Sequence, residues 1–164
     1  MIKKDVLKIK NKKEIMYSIN QIPFKSHGLV IKGVSTYDYI IKDFDIIFKE
    51  ITDKFLLMVG SSYHIIDFWI NKYFYKGCVN KHNHPTDKKL IAKTGVFYFK
   101  QPKKGGDLVI DNKNIKMKEE DIVIFNPDQF HWSEPNLSKQ EKIIFSVNMV
   151  KHFTRKELNK NVYK

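Results

Sequence analysis

WINKYFYKGCVNKHNHP, residues 69–85, carries the pattern from which the rest of the chain is read. Its first part belongs to a β-rich run, 64–75, and Lys76-Gly77 then reads as a turn. Its end places His82 and His84 one residue apart. On a strand, side chains at i and i+2 leave the same face, so the two imidazoles can converge on one point. His131 follows 47 residues after His84, between the apolar run Ile122-Val123-Ile124-Phe125 and a turn at Pro135-Asn136. Two ligands from one segment and a third from a distant strand is how a β barrel holds a metal with coordination positions left open. An isolated His-x-His is more often a surface or hydrogen-bonded pair, so the reading needs support from its surroundings. His27, His64 and His152 have no such neighbours and read as ordinary histidines.

Outward from this stretch the chain is mainly β. Runs at 94–100, 107–110, 121–126 and 142–149 alternate with turn-forming stretches at Pro102–Gly106, Asn126-Pro127-Asp128 and Pro135-Asn136. Short strands at regular spacing point to a β sandwich or barrel. Before residue 63 the reading is short strands at Val6-Leu7-Ile9, Ile15-Met16-Tyr17 and Leu29-Val30-Ile31, with turns at Lys12-Lys13 and near Gly28. One helix over 36–57 follows, with Ile40, Phe44, Ile47, Ile51 and Phe55 on one face and Ser35 or Thr36 capping its start. Asp38 suits the positive end of its dipole. A short helix is expected over 152–160. The expectation is a single domain: residues 1–62 as supporting strands and helix, 63–149 as the barrel, and 150–164 as a tail.

At 164 residues and 42% hydrophobic content the chain can bury a core without staples, and disorder as the dominant state is excluded. A lone Cys78 excludes a disulfide framework within the chain and a four-cysteine zinc site. No run approaches 18 apolar residues, and the basic N-terminus lacks the apolar stretch of a secretory signal. The expected compartment is therefore the cytoplasm, a host's if the source is viral. The net charge of +12 has two readings, nucleotide bias toward lysine codons or a surface for anionic partners. Arg155 is the only arginine, and no block of five or six lysines occurs, which favours bias. An anionic substrate, and nucleic acid, stay open on charge alone.

The surroundings of the histidine pair resemble the 2-oxoglutarate/Fe(II)-dependent oxygenases, closest to small bacterial and phage-type members that carry His-Asn-His-Pro in place of His-x-Asp. TGVFYFKQPKKGGDLVI (94–110) resembles a paired-strand segment of that subgroup. DIVIFNPDQFHWSEPNLSKQEKIIFSVN (121–148) resembles its C-terminal iron and cosubstrate strands. The resemblance spans about residues 63–148, and its pieces occur in family order. It implies a double-stranded β-helix, that is, a jelly-roll barrel, and hydroxylation as the commonest outcome. It implies Fe(II) on His82, His84 and His131, and 2-oxoglutarate contacted by Asn71, Tyr73, Ser146 and Asn148. Lys142 stands where relatives place the arginine that grips the distal carboxylate, 11 residues after His131. Asp87 is an alternative third ligand. The stretch TDKKLIAKT (86–94) contains extra residues compared with typical members.

The remaining candidates are weighed by position. Tyr98 alternates with Phe97 and Phe99, so it faces the cavity if they face the core. Trp132, beside His131, is a candidate for the substrate side. Trp69, Phe97, Phe99 and Phe145 read as barrel core, and Asn136 and Asp107 as turn formers. Cys78 has no nucleophile–base partner nearby. Three function classes follow: an Fe(II)/2-oxoglutarate oxygenase acting on a small-molecule or peptidyl substrate, a three-histidine cupin-type dioxygenase without 2-oxoglutarate, and a non-catalytic basic barrel.

Overall fold

A computed structural model of the protein describes residues 1–37, 45–84 and 92–151. The order is β1 (Lys3–Val6), α1 (Lys12–Gln21), β2 (Val30–Ser35), α2 (Asp45–Val59), β3 (Tyr63–Val79), β4 (Ala92–Lys100), β5 (Leu108–Ile110), β6 (Lys113–Ile115), β7 (Asp121–Phe125), β8 (His131–Ser133) and β9 (Lys142–Lys151). Two antiparallel sheets face each other as a jelly roll, the double-stranded β-helix expected. The larger has the order β1-β7-β4-β9-β3-β2 and the smaller β6-β5-β8. Two of the six strands of the larger sheet come from before residue 63.

Side-chain alternation on the central strands sorts the molecule into two cores. On β9, Ile143, Phe145, Val147 and Met149 face the helices. They pack with Phe97 and Phe99 of β4, Ile15 and Ile19 of α1, and Phe48, Ile51 and Phe55 of α2. The intervening Ile144 turns inward and joins Tyr73, Val96, Tyr98, Leu108, Ile110, Val123 and Phe125 between the sheets. A period of two on a strand produces this division directly. Phe97, Phe99 and Phe145 are therefore core under the helices, not barrel interior, and Tyr98 takes the opposite face as alternation requires.

Gly95 shows how close the helix comes. A Cβ there would lie 2.4 Å from Phe55 Cε1 and 2.9 Å from Val147 Cγ2, so the Phe55 ring rests on bare backbone.

Several local expectations are corrected. Residues 12–21 form a helix, not a strand and turn: Ile15 and Ile19, four apart, are buried, while Tyr17 is 69% exposed. The second helix spans Asp45–Val59 and buries Phe48, Ile51 and Phe55, whereas Ile47 is 40% exposed. Ser35 ends β2, and Thr36 pairs with Ile70, its Oγ1 accepting from Ile70 N at 2.9 Å, so neither caps a described helix. Lys76-Gly77 lies inside β3, with Lys76 at φ 61°, rather than ending the strand. Asp38, Ile40, Phe44, Asp87 and the expected helix at 152–160 lie outside the described residues.

Candidate metal and cosubstrate site

Between the sheets lies a cavity of about 590 Å³. His82, His84 and His131 line it, and one ligand atom from each lies within 4.8 Å of the others. The backbone sets this convergence. His131 opens β8, and His82 N donates to His131 O at 3.0 Å while His131 N donates to His82 O at 2.8 Å. His84 is anchored by its own N–H, which donates to Pro127 O at 2.7 Å.

The ring nitrogens are sorted by their outer partners. His82 Nδ1 lies 2.7 Å from Asn80 O, and His131 Nδ1 lies 2.9 Å from Gln129 O. A carbonyl can only accept, so Nδ1 carries the proton in both rings and Nε2 is left as the ligand. His84 Nε2 is buried without a hydrogen-bond partner. Its Nδ1 faces Asn148 Nδ2 at 3.5 Å; Asn148 is held by Asp67 Oδ2 at 3.0 Å and by Thr94 Oγ1, which donates to its Oδ1 at 3.1 Å. Burial, reinforced by the neighbouring imidazoles, pushes His131 down to about 3 and His84 to about 4; burial also lowers His82. All three are neutral at physiological pH, the form that binds a metal. Three imidazoles with open positions suit a first-row divalent cation such as Fe(II).

A buried amine and unpartnered polar atoms gather on one side of the cavity. Lys142 has no exposed surface, and its Nζ donates to Gly106 O at 2.7 Å. The rings of Tyr98 and Tyr73 lie 4.9 and 5.1 Å from that nitrogen. Both phenol hydroxyls and Asn71 Oδ1 are buried with no hydrogen-bond partner. Buried polar atoms are rarely orphaned, and here four, with His84 Nε2, share one cavity wall. An oxygen-rich ligand would satisfy the phenols and the amine together. Gly106, at φ +78°, allows this approach; a Cβ would lie 3.2 Å from Lys142 Cδ.

The expected residues fall into three groups. His82, His84, His131, Asn71, Tyr73, Tyr98, Ser146 and Asn148 all line the cavity. Lys142 does not line the cavity; its Nζ lies against the rings of Tyr73 and Tyr98, which do. Trp132 is not brought there: neighbouring His131 and Ser133 face inward, and Trp132 stacks with Lys81, Nζ 5.0 Å from its ring. Sequence reasoning missed Trp69, Tyr37, His27, Asp67 and Thr94, which also line the cavity. Trp69 was expected in the core; the i+2, i+4 pattern with Asn71 and Tyr73 was the signal that could have placed it. Its ring meets Tyr37 edge-on at 5.2 Å and lies 6.1 Å from His84.

Neither a scan against protein-family models nor a search of curated proteins gives a match. Solved structures do match in fold. A viral collagen prolyl hydroxylase from Paramecium Bursaria Chlorella virus-1, solved with 2-oxoglutarate, superposes with a TM-score of 0.65 at 18% identity, over 92% of this chain and 96% of that one. HygX from Streptomyces hygroscopicus, solved with nickel and 2-oxoglutarate, gives 0.70 at 7% identity over 93% and 83%. A Pseudomonas putida prolyl-4-hydroxylase gives 0.60 at 11% identity over 93% of each chain. This chain shares their fold.

Proposed function

We propose, from this shared fold and the three converging imidazoles, that the protein is an Fe(II)- and 2-oxoglutarate-dependent oxygenase of the hydroxylase type. The observation that carries the reading is a neutral three-histidine cluster in a cavity that is also lined by two unpartnered phenols, with the buried Lys142 amine against their rings. Iron(II) and 2-oxoglutarate, when bound, supply oxygen activation coupled to release of succinate and CO₂.

The chain's own residues do the positioning. His82 and His131 present Nε2 because their Nδ1 protons are held by carbonyls. His84 would be the third ligand. Lys142 would hold the distal carboxylate, and the Tyr73 and Tyr98 hydroxyls would donate hydrogen bonds to it. Asn71 and Ser146, which line the same cavity, would contact the cosubstrate, and the apolar Val96, Leu108 and Ile144 beside them would exclude water. Trp69, Tyr37 and His27 form the wall nearer the surface, where a small-molecule or peptidyl substrate would lie.

A 2-oxoglutarate-independent cupin-type dioxygenase needs the histidines but not the buried amine, and Lys142 favours the first reading. The described residues hold no helix long and apolar enough to cross a membrane.

The test is conversion of 2-oxoglutarate to succinate by protein supplied with Fe(II) in air. Succinate that requires iron and disappears in His131→Ala supports the assignment. A metal-loaded protein that forms none, and binds no 2-oxoglutarate, contradicts it.

A further inference from the structure

Lys142 sits where a permanent charge is hard to keep. It opens β9 with no exposed surface and has one hydrogen-bond acceptor, Gly106 O. No carboxylate of the described residues lies within ion-pair distance of its Nζ. The titratable groups that face it are Tyr73 and Cys78 of β3, Tyr98 of β4, Asp107 before β5 and Glu134 after β8.

None of these supplies a free anion. Burial raises both phenols above their ordinary range and raises the half-buried Cys78 thiol, so all three stay protonated. Asp107 accepts from Lys116 Nζ at 2.7 Å and Met117 N at 3.0 Å, and Glu134 accepts from Asn114 Nδ2 at 2.8 Å. A protonated Lys142 would thus be a buried charge in contact only with π faces and a carbonyl, with the Asp107 and Glu134 carboxylates beyond ion-pair distance, whereas a neutral amine keeps its bond to Gly106 O. Burial accordingly pushes Lys142 down to about 7 against the more distant pull of the Asp107 and Glu134 carboxylates.

We propose that Lys142 is an uncharged amine while the pocket is empty, and takes one proton from solvent together with the carboxylate it binds. Cosubstrate binding is then proton-coupled. Amine, proton and carboxylate become an ammonium–carboxylate pair, and no bond of the ligand breaks. The proposal rests on the oxygenase reading and adds a pH control to the same site. Below about pH 7 the amine is already charged and binding takes up no proton. Above it, affinity falls toward about tenfold per pH unit, because each anion must bring its proton.

The experiment is calorimetric titration of the full chain, loaded with redox-inert Ni(II), by 2-oxoglutarate in buffers of different ionisation enthalpy. Proton uptake near zero at about pH 6 and approaching one at about pH 8.5 is expected by linkage. Lys142→Arg, whose guanidinium stays charged, is expected to bind without uptake at either pH. Binding by the unmodified protein with no uptake and a pH-independent Kd overturns the proposal and leaves the oxygenase reading standing. No binding at any pH overturns that reading and this proposal together. A ligand-free check uses ¹³C-labelled lysine in the metal-free protein, with Lys142→Met assigning the resonance. A Lys142 Cε signal titrating near pH 7 supports the neutral amine; one that moves only above about pH 9 overturns it.

Discussion

His82 and His131 meet twice: their rings lie with centroids 4.2 Å apart, tilted 53° to each other, and their backbones exchange hydrogen bonds of 3.0 and 2.8 Å. Two proposed ligands from segments far apart in sequence are thereby held together without a metal. Such a site pays little reorganisation on binding, because the rings are already neutral, oriented and desolvated.

His131→Ala removes one of three ligands from a preformed cluster. Its purified form is expected to lose stoichiometric iron and all 2-oxoglutarate turnover, with the melting temperature of the metal-free protein little changed. Metal analysis beside differential scanning calorimetry checks this. Full activity in the variant would contradict the ligand assignment.

Acid stability follows from the same burial. The folded state holds His131 near 3 and His84 near 4, against an unfolded value of about 6.5. The unfolded chain therefore binds more protons below about pH 6.5, and stability is full above that pH and falls as pH drops toward the folded values. By about pH 5, His131 alone is expected to cost the metal-free protein about 2 kcal/mol. Urea titrations of the wild type and His131→Gln at pH 7 and pH 5 check it. An equal loss in both would show that other groups dominate.

Gly95→Ala places a methyl group against the Phe55 ring and Val147, where Cβ distances are 2.4 and 2.9 Å. Overpacking of this kind is expected to destabilise by about 1–3 kcal/mol. Phe55→Ala, which empties the helix-side core, is expected to cost about 3–5 kcal/mol. In the double variant the costs should not add, since the ring that clashes is gone. Chemical denaturation of the three variants measures this coupling, and strict additivity would show that Phe55 is not what Gly95 accommodates.

Lys142→Ala is expected to raise the 2-oxoglutarate KM by roughly 10- to 150-fold, the loss of one charge-assisted hydrogen bond, while iron binding persists. Steady-state kinetics with iron quantified in the same samples checks it. An unchanged KM would mean that the cosubstrate is gripped elsewhere.

Much of the site was legible because strands impose a period of two. The inward set Ser146 and Asn148 on β9 follows from it directly. Tyr98 between Phe97 and Phe99 does too. His82 and His84, read as i and i+2 of a strand, lie beyond the end of β3, and converge through the isolated bridge of His82 to His131 and the bond of His84 N to Pro127 O. What was not legible depends on contacts between distant segments. Ile15-Met16-Tyr17 looks like a strand as a contiguous run, and only Ile15 with Ile19 reveals the helix. The strands β6 and β8 have 3 residues each, too short to show a period. Trp69 looked like core because large aromatics usually are, yet it walls the cavity. The spacing placed Lys142, but its partners Gly106 and Tyr98 come from β4 and the following loop.

The most direct measurement is a crystal soaked anaerobically with Fe(II) and 2-oxoglutarate, with the iron located by its anomalous signal. One iron within about 2.2 Å of a ring nitrogen from each of His82, His84 and His131, with the distal carboxylate of 2-oxoglutarate on Lys142, is expected. Iron bound away from these three rings, or a carboxylate seated far from Lys142, would contradict it.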